Sequence, residues 1–111
     1  MNDAYAVDRE RWARMTIFEQ MGNIYSEVGR SFNAHRNKNA VDQTAAVTRA
    51  IDLFDATVDN LTANKSGRTK EVLRAKDQFL QALYGDNVSE SNIASLDRYF
   101  LQFAIAARLN K

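Results

Sequence analysis

Apolar residues recur along this chain with the spacing of amphipathic helices, most clearly over residues 16–32, TIFEQMGNIYSEVGRSF. Thr16 followed by Glu19 is the signature of a capping box, in which each residue satisfies a backbone N–H of the other. The pattern predicts a helix over 16–36 on which the rest of the chain packs. One face of this helix carries an apolar stripe that consists of Ile17, Met21, Ile24, Val28 and Phe32.

Further periodic segments predict helices over 40–63, 68–84 and 89–110, preceded by a short helix within 8–15. Residues 1–7 are expected to be flexible. The connections are short, so consecutive helices should be antiparallel neighbours. The predicted fold is a single all-α domain, an up-down-up-down four-helix bundle with a short extra N-terminal helix.

Polar residues and glycine mark the predicted helix ends. Asn39 and Ser89 are N-cap candidates because their side chains can accept from a backbone N–H in the first turn. Asn64–Gly67 is a turn cluster that ends the helix before it. Gly85 is expected to follow the third main helix as a left-handed C′ glycine.

The amino-acid composition limits the classes of protein to which this chain can belong. Of 111 residues, 45% are apolar and 26% charged, as expected of a globular domain, and the absence of proline favours helix. Without cysteine there is no disulfide framework or thiolate zinc site, and the charged N-terminus does not resemble a signal peptide. A net charge of +1 does not indicate the strongly basic surface that is typical of nucleic-acid-binding proteins. We expect a cytoplasmic protein with no membrane span and no cofactor.

A second row of the helix over 16–36 contains unusually small residues beside aromatic ones. Glycine within a helix costs roughly 1 kcal/mol relative to alanine, so Gly22 and Gly29 predict that a neighbouring helix approaches closely. That neighbour is either the last helix of this chain or the same helix of a second copy. The row consists of Phe18, Gly22, Tyr25, Ser26 and Gly29. The remaining face is interpreted as solvated, and comprises Glu19, Asn23, Glu27 and Arg30.

Three aspartates, Asp52, Asp55 and Asp59, share one face of the second main helix. A cation site and a set of ion pairs are the two interpretations. Ion pairing is favoured because the basic segment Lys65–Lys76 begins the antiparallel neighbour, and a bundle metal site draws ligands from several helices. The same basic segment could contact phosphates, although no aromatic residues interleave with it to stack bases.

Arg30 and His35 form an R-x4-H spacing that resembles the motif of HEPN-domain ribonucleases, which are also small helical bundles. The resemblance implies His35 as general base and Arg30 as phosphate stabiliser. Here the pair ends the first long helix, whereas in those proteins the motif lies near the last helices. The competing interpretation is that His35 is a surface residue at a helix end.

Three segments together resemble a group of small uncharacterised prokaryotic proteins. They are FEQMGNIYSEVGR (residues 18–30), YGDN (residues 84–87) and RYFLQFAIAAR (residues 98–108). In that group an EQ-x-x-NIGSEV helix opens the domain, and a YF-x-x-FA-x-AAR helix closes it. Tyr25 stands where the group has glycine. The resemblance implies a helical fold and a prokaryotic or phage origin, and adds no mechanism.

The last helix carries apolar residues around nearly half its circumference, including Tyr99 and Phe103. Four short helices would leave part of this surface uncovered, and an uncovered apolar patch marks an interface. The sequence therefore favours a non-enzymatic helical interaction module that self-associates, with a HEPN-like RNA-directed protein as the alternative. A small-ligand site beside Gly22, Tyr25 and Gly29 is a third interpretation.

Overall fold

The computed structural model describes residues 7–85 and 88–109. Within those ranges the chain forms helices and no strands, which confirms the all-α prediction. Predictions for residues 1–6, for the turn at 86–87 and for residues 110–111 lie outside the described residues. The five helices are α1 (Arg9–Ala13), α2 (Ile17–Arg36), α3 (Ala40–Ala63), α4 (Thr69–Tyr84) and α5 (Glu90–Leu109).

Side-chain caps begin four of the helices and explain their starting points. The predicted capping box is present: Thr16 Oγ1 accepts from the N–H of Glu19 at 3.1 Å, and Glu19 accepts from the N–H of Thr16 at 2.9 Å. Asp8 and Asn39 cap α1 and α3. Ser89 accepts from the backbone N–H of residue 92 at 3.1 Å and caps α5. These bonds satisfy donors that the first turn of a helix leaves without a partner.

Gly85 ends α4 differently from the prediction. Its φ of −84° and ψ of −172° are extended, not left-handed, and its N–H donates to the carbonyl of Gln81. A Cβ at this position would lie 2.7 Å from that carbonyl oxygen. The glycine is therefore needed for close approach to the backbone of the preceding turn, and not for a positive φ.

The helix α2 packs against both α3 and α5, and α4 packs against the same two helices to complete a compact globule. Four phenylalanines without exposed surface join the elements at the centre, with ring centroids 5.7–6.0 Å apart: Phe32, Phe54, Phe79 and Phe100. Edge-on and tilted aromatic contacts at these distances add to the gain from burying the rings. Within the described ranges, no helix is both long and apolar enough to traverse a bilayer.

The short helix α1 is held on α3 by Trp12, which is 5% exposed. The indole Nε1 donates to Thr57 Oγ1 at 2.9 Å, in the interior. From α2, Gln20 Nε2 donates to the carbonyl of Trp12 at 2.8 Å and satisfies an acceptor at the end of α1. A five-residue helix is too short to be stable alone, so these contacts hold α1 in place.

The two glycines of α2 have different surroundings. A Cβ on Gly22 would lie 3.4 Å from the Cα of Ala104, so Gly22 packs against α5 of the same chain. A Cβ on Gly29 would meet nothing within 4 Å. The close neighbour expected beside Gly22 is therefore the last helix of this chain, whereas the space beside Gly29 is open.

Replacement of Gly29 with alanine is expected to raise the free energy of unfolding by about 0.5–1 kcal/mol, because alanine loses less backbone entropy on entering a helix. Gly22→Ala is the matched control: it removes the same entropy but must fit a methyl group against Ala104, so its gain should be smaller. Urea denaturation followed by circular dichroism measures both. A loss of stability in Gly29→Ala would contradict the open space beside it.

Candidate interaction surface

The outer face of α5 carries the candidate site. Leu101 is 39% exposed, Ile105 46% and Leu109 78%, and the three lie on successive turns at i, i+4 and i+8. The inner face of the same helix carries Ile93 and Phe100, which are buried in the core. The helix α5 is therefore apolar on its core side and on part of its solvent side, a pattern typical of an element with a second contact to make.

Small and charged residues border this apolar stripe. On the side of α2, Ala104 packs against Gly22, and no bulky side chain rises between the two helices at that point. Asp97 and Arg108 lie on the same side of α5, Asp97 one turn before Leu101 and Arg108 in the last turn, beside Leu109. The α2 side of the stripe therefore carries no large side chain at Gly22, and Leu101 and Ile105 lie between two opposite charges along the helix.

The predicted site residues on α2 lie in two places. Tyr25 lies near Asp97 of α5, and burial, followed by the negative charge of that carboxylate, raises the pKa of Tyr25. Gly22 and Tyr25 thus take part in the α2–α5 packing. Ser26 is exposed and lines a cleft beside Trp12 and Met15, on the side of α1.

The predicted site residues on α5 are engaged within the chain. Phe103 is buried, with its ring centroid 6.4 Å from that of Phe18. The hydroxyl of Tyr99 donates to Glu71 Oε2 at 2.9 Å, and its ring lies edge-on to Phe103. Burial, and next the bond to the Glu71 carboxylate, raise the pKa of Tyr99 well above its usual range. The exposed aliphatic residues of α5, and not these aromatic ones, form the free surface.

A buried ion cluster joins α2 to α3 at Glu27. The Glu27 side chain is 6% exposed; its Oε2 accepts from Arg30 Nη1 at 2.8 Å and its Oε1 from Arg49 Nε at 3.1 Å. The sequence interpretation placed Glu27 on a solvated face, and this was wrong because α3 covers that face and supplies Arg49. The i, i+3 spacing to Arg30 was visible in the sequence, but the partner 22 residues away was not.

Arg30 and His35, the HEPN-like pair, lie in different surroundings on α2. The guanidinium of Arg30 is bonded to Glu27 and is 62% exposed. His35 is half-buried in the last turn of α2, beside Arg36, whose hydrogen bond lowers the pKa of Glu90. No observation adds a third group to the pair, and the RNA-cleaving interpretation stays a prediction.

The three aspartates of α3 bind cationic side chains, as the ion-pair interpretation expected, but from two helices. Asp55 accepts from Lys76 Nζ of α4 at 2.8 Å. Asp59 accepts from Arg9 of α1 at 2.7 Å, and Arg9 also lies 3.8 Å from Asp52. The expected pairing with α4 holds for Asp55, whereas Asp52 and Asp59 pair with Arg9 because α1 folds back over this row. Among the described residues, no group of three or more acidic or histidine side chains could hold a metal ion.

Part of the basic segment Lys65–Lys76 is occupied in the same way. Lys76 is paired with Asp55, and Arg68 lies 3.7 Å from Glu71 with its guanidinium over the ring of Phe18 at 5.9 Å. A cation above an aromatic face is attracted by the negative face of the ring. Nucleic-acid binding by this segment stays a prediction.

An open cleft of about 460 Å³ lies between α4 and α5, two helices that make few contacts with each other. Its floor is apolar and its rim carries neutral hydrogen-bonding groups, with Tyr99 engaged by Glu71 at one end. Such a rim can form hydrogen bonds with a ligand. Among the described residues that line the cleft, no two titratable side chains are paired for acid–base chemistry. The lining residues are Gln78, Gln81, Ala82, Asn92, Ser95, Leu96 and Tyr99.

No protein-family model matches the chain, and neither the comparison with curated proteins nor that with solved structures gave a match. The resemblance to small prokaryotic helical proteins accordingly stays a prediction.

Proposed function

We propose that this protein is a non-enzymatic helical interaction module that binds another protein chain through the outer face of α5. The observation that carries the proposal is the exposed row of Leu101, Ile105 and Leu109 on three successive turns. Helical grooves and faces recognise partner helices through apolar anchors with this i, i+4 spacing. Burial of a leucine or isoleucine contributes about 1.5–3 kcal/mol, so three such residues supply a sizeable driving force.

Other exposed apolar side chains do not form a comparable row. On α4, Leu73 is 47% and Tyr84 57% exposed, but they are separated by three turns. Val41 is 79% exposed and lies in the first turn of α3. Single exposed apolar residues are normal on protein surfaces, whereas a contiguous row is the feature that marks a contact site.

We also propose that α2–α5 form an up-down-up-down four-helix bundle to which α1 is an addition. Contacts between the ends of α2 and α5 support antiparallel helices: Phe18 lies beside Phe103, and Arg36 binds Glu90 at 2.7 Å. The Lys76–Asp55 pair supports the same relation between α4 and α3. In this arrangement α2 and α5 are neighbours, and the α5 stripe lies at an outer corner. A cytoplasmic, prokaryotic setting stays part of the proposal.

Photo-crosslinking tests the interaction surface directly. With p-benzoylphenylalanine at position 105, we expect a covalent adduct between this chain and a protein partner in a cell extract, because the probe lies in the contact. Position 73 is the matched control, since Leu73 is 47% and Ile105 46% exposed on different helices. Equal adduct formation at the two positions, or none at position 105, would refute the proposal.

A further inference from the structure

We propose that the partner of the α5 stripe is a second copy of this chain, bound with the two α5 helices antiparallel and Asp97 of each opposite Arg108 of the other. This inference rests on the proposed function and names its partner. The residues that carry it occupy positions i, i+4, i+7, i+8 and i+11 of one helix and so share one face. They are Asp97, Leu101, Ala104, Ile105 and Arg108.

The face formed by these five residues has an acid at one end and a base at the other, and Leu109 of the stripe lies just beyond the base. At 1.5 Å per residue, the Cα atoms of Asp97 and Arg108 are about 16 Å apart along the helix. The interval between them on this face is apolar. A surface with this order, acid then apolar then base, is complementary to itself when one copy is reversed, which is the relation that a two-fold axis creates.

The charges at both ends are suited to this pairing. Arg36 is bonded to Glu90 at 2.7 Å, and this bond, followed by the charges of Glu90 and Asp97, raises the pKa of Arg36. The three groups together therefore carry one net negative charge. Tyr25 lies near Asp97 but is uncharged. At the other end Arg108 is exposed and forms no ion pair within residues 7–85 and 88–109. Arg98 is exposed but directly follows Asp97, so its side chain points about 100° away from that of Asp97 around the helix. On the face that contains Asp97 and Arg108, each end therefore presents one charge of opposite sign to an incoming helix.

The register set by these charges also suits the apolar residues. When Asp97 faces Arg108 of the partner subunit, Leu101 faces the partner subunit's Ala104, so a large side chain is opposite a small one. Gly22, which packs against Ala104, has no side chain that could project from this part of the surface. A parallel pairing would instead place like charges together at both ends, which is unfavourable.

Charge reversal tests both partner and orientation on the full chain. We expect wild-type protein to dimerise, and Asp97→Arg or Arg108→Asp each to weaken dimerisation roughly 30-fold, since two attractive contacts become two repulsive ones. An equimolar mixture of the two single variants should form a heterodimer of near wild-type affinity. The double variant Asp97→Arg/Arg108→Asp should self-associate again. Sedimentation velocity from micromolar to millimolar concentration at low salt measures all four.

Arg74→Asp on α4 is the charge-matched control for Arg108→Asp, because it makes the same change in net charge at an exposed position away from the stripe. Circular dichroism melting verifies that each variant is folded. A monomeric wild type at the highest concentration would overturn the inference. So would reversals that act no more strongly than Arg74→Asp. A crosslink from position 105 to a different protein, with monomeric purified chain, would refute this inference and leave the proposed function standing.

Discussion

Replacement of Trp12 with alanine is expected to lower the free energy of unfolding by about 3–5 kcal/mol, the range found when a large buried aromatic side chain is removed. Three effects combine in this variant. The indole leaves a cavity between α1 and α3, Thr57 loses its donor, and α1 loses the anchor that holds it over the acidic row of α3. Urea denaturation followed by circular dichroism at 222 nm, the standard helix signal, measures the change.

Two variants separate packing from hydrogen bonding at this position. Trp12→Phe keeps most of the ring but leaves Thr57 without its indole donor, and should cost about 1–2 kcal/mol. Thr57→Val removes the acceptor at nearly constant volume and leaves the buried indole N–H without its partner. If Trp12→Ala were no more destabilising than Trp12→Phe, the interpretation of α1 as a packed element would be wrong. Trp12 is the only tryptophan, so its fluorescence reports the docking of α1 in wild type.

Replacement of Arg49 with methionine is expected to cost about 2–3 kcal/mol, because it removes one of the ion pairs that the interior Glu27 carboxylate forms with described residues. Arg30 still bonds to the second carboxylate oxygen, which keeps the loss below that of a completely unpaired buried charge. Arg30→Met is the matched control. It removes the pair whose arginine is 62% exposed, against 30% for Arg49, and should cost less than 1 kcal/mol.

A double-mutant cycle tests whether the burial of Glu27 is the cause. Once Glu27→Leu has removed the carboxylate, Arg49→Met should cost far less than it does alone, since no buried charge remains to be neutralised. Urea midpoints and slopes for the four proteins give the coupling energy. Strictly additive losses would show that Arg49 stabilises the chain through its aliphatic packing and not through its pair with Glu27.

Local features of the chain, such as helix caps, could be predicted accurately from the sequence. The capping box at Thr16, the caps at Asn39 and Ser89, and the core stripe of α2 depend on residues within one or two helical turns. Their interactions are largely complete once the helix forms, so their spacing is sufficient evidence. Gly85 shows the limit of this reasoning: a glycine after a helix was expected to be left-handed, and close approach to Gln81 was the actual reason for it.

The candidate site depended on contacts between distant segments. Both Tyr99 and Leu101 belong to the broad apolar surface of α5, and their spacing does not show which will be covered. The half-burial of Tyr99 follows from where α4 places Glu71, and Leu101 is exposed because no helix among residues 7–85 covers that side of α5. The accessibility of a side chain depends on how all the helices pack. Periodicity therefore identified α5 as amphipathic but did not show which of its apolar residues stay exposed.

The sequence by itself determined that this protein is helical and where its helices begin, because caps and apolar periodicity act within a few residues of each other. The tertiary structure decided the rest. It brought Arg49 to Glu27, placed α1 over the aspartates of α3, seated Gly22 on Ala104, and left Leu101 and Ile105 uncovered. These outcomes depend on which faces meet when helices pack, and that choice minimises exposed apolar area over the whole chain and not within any one segment.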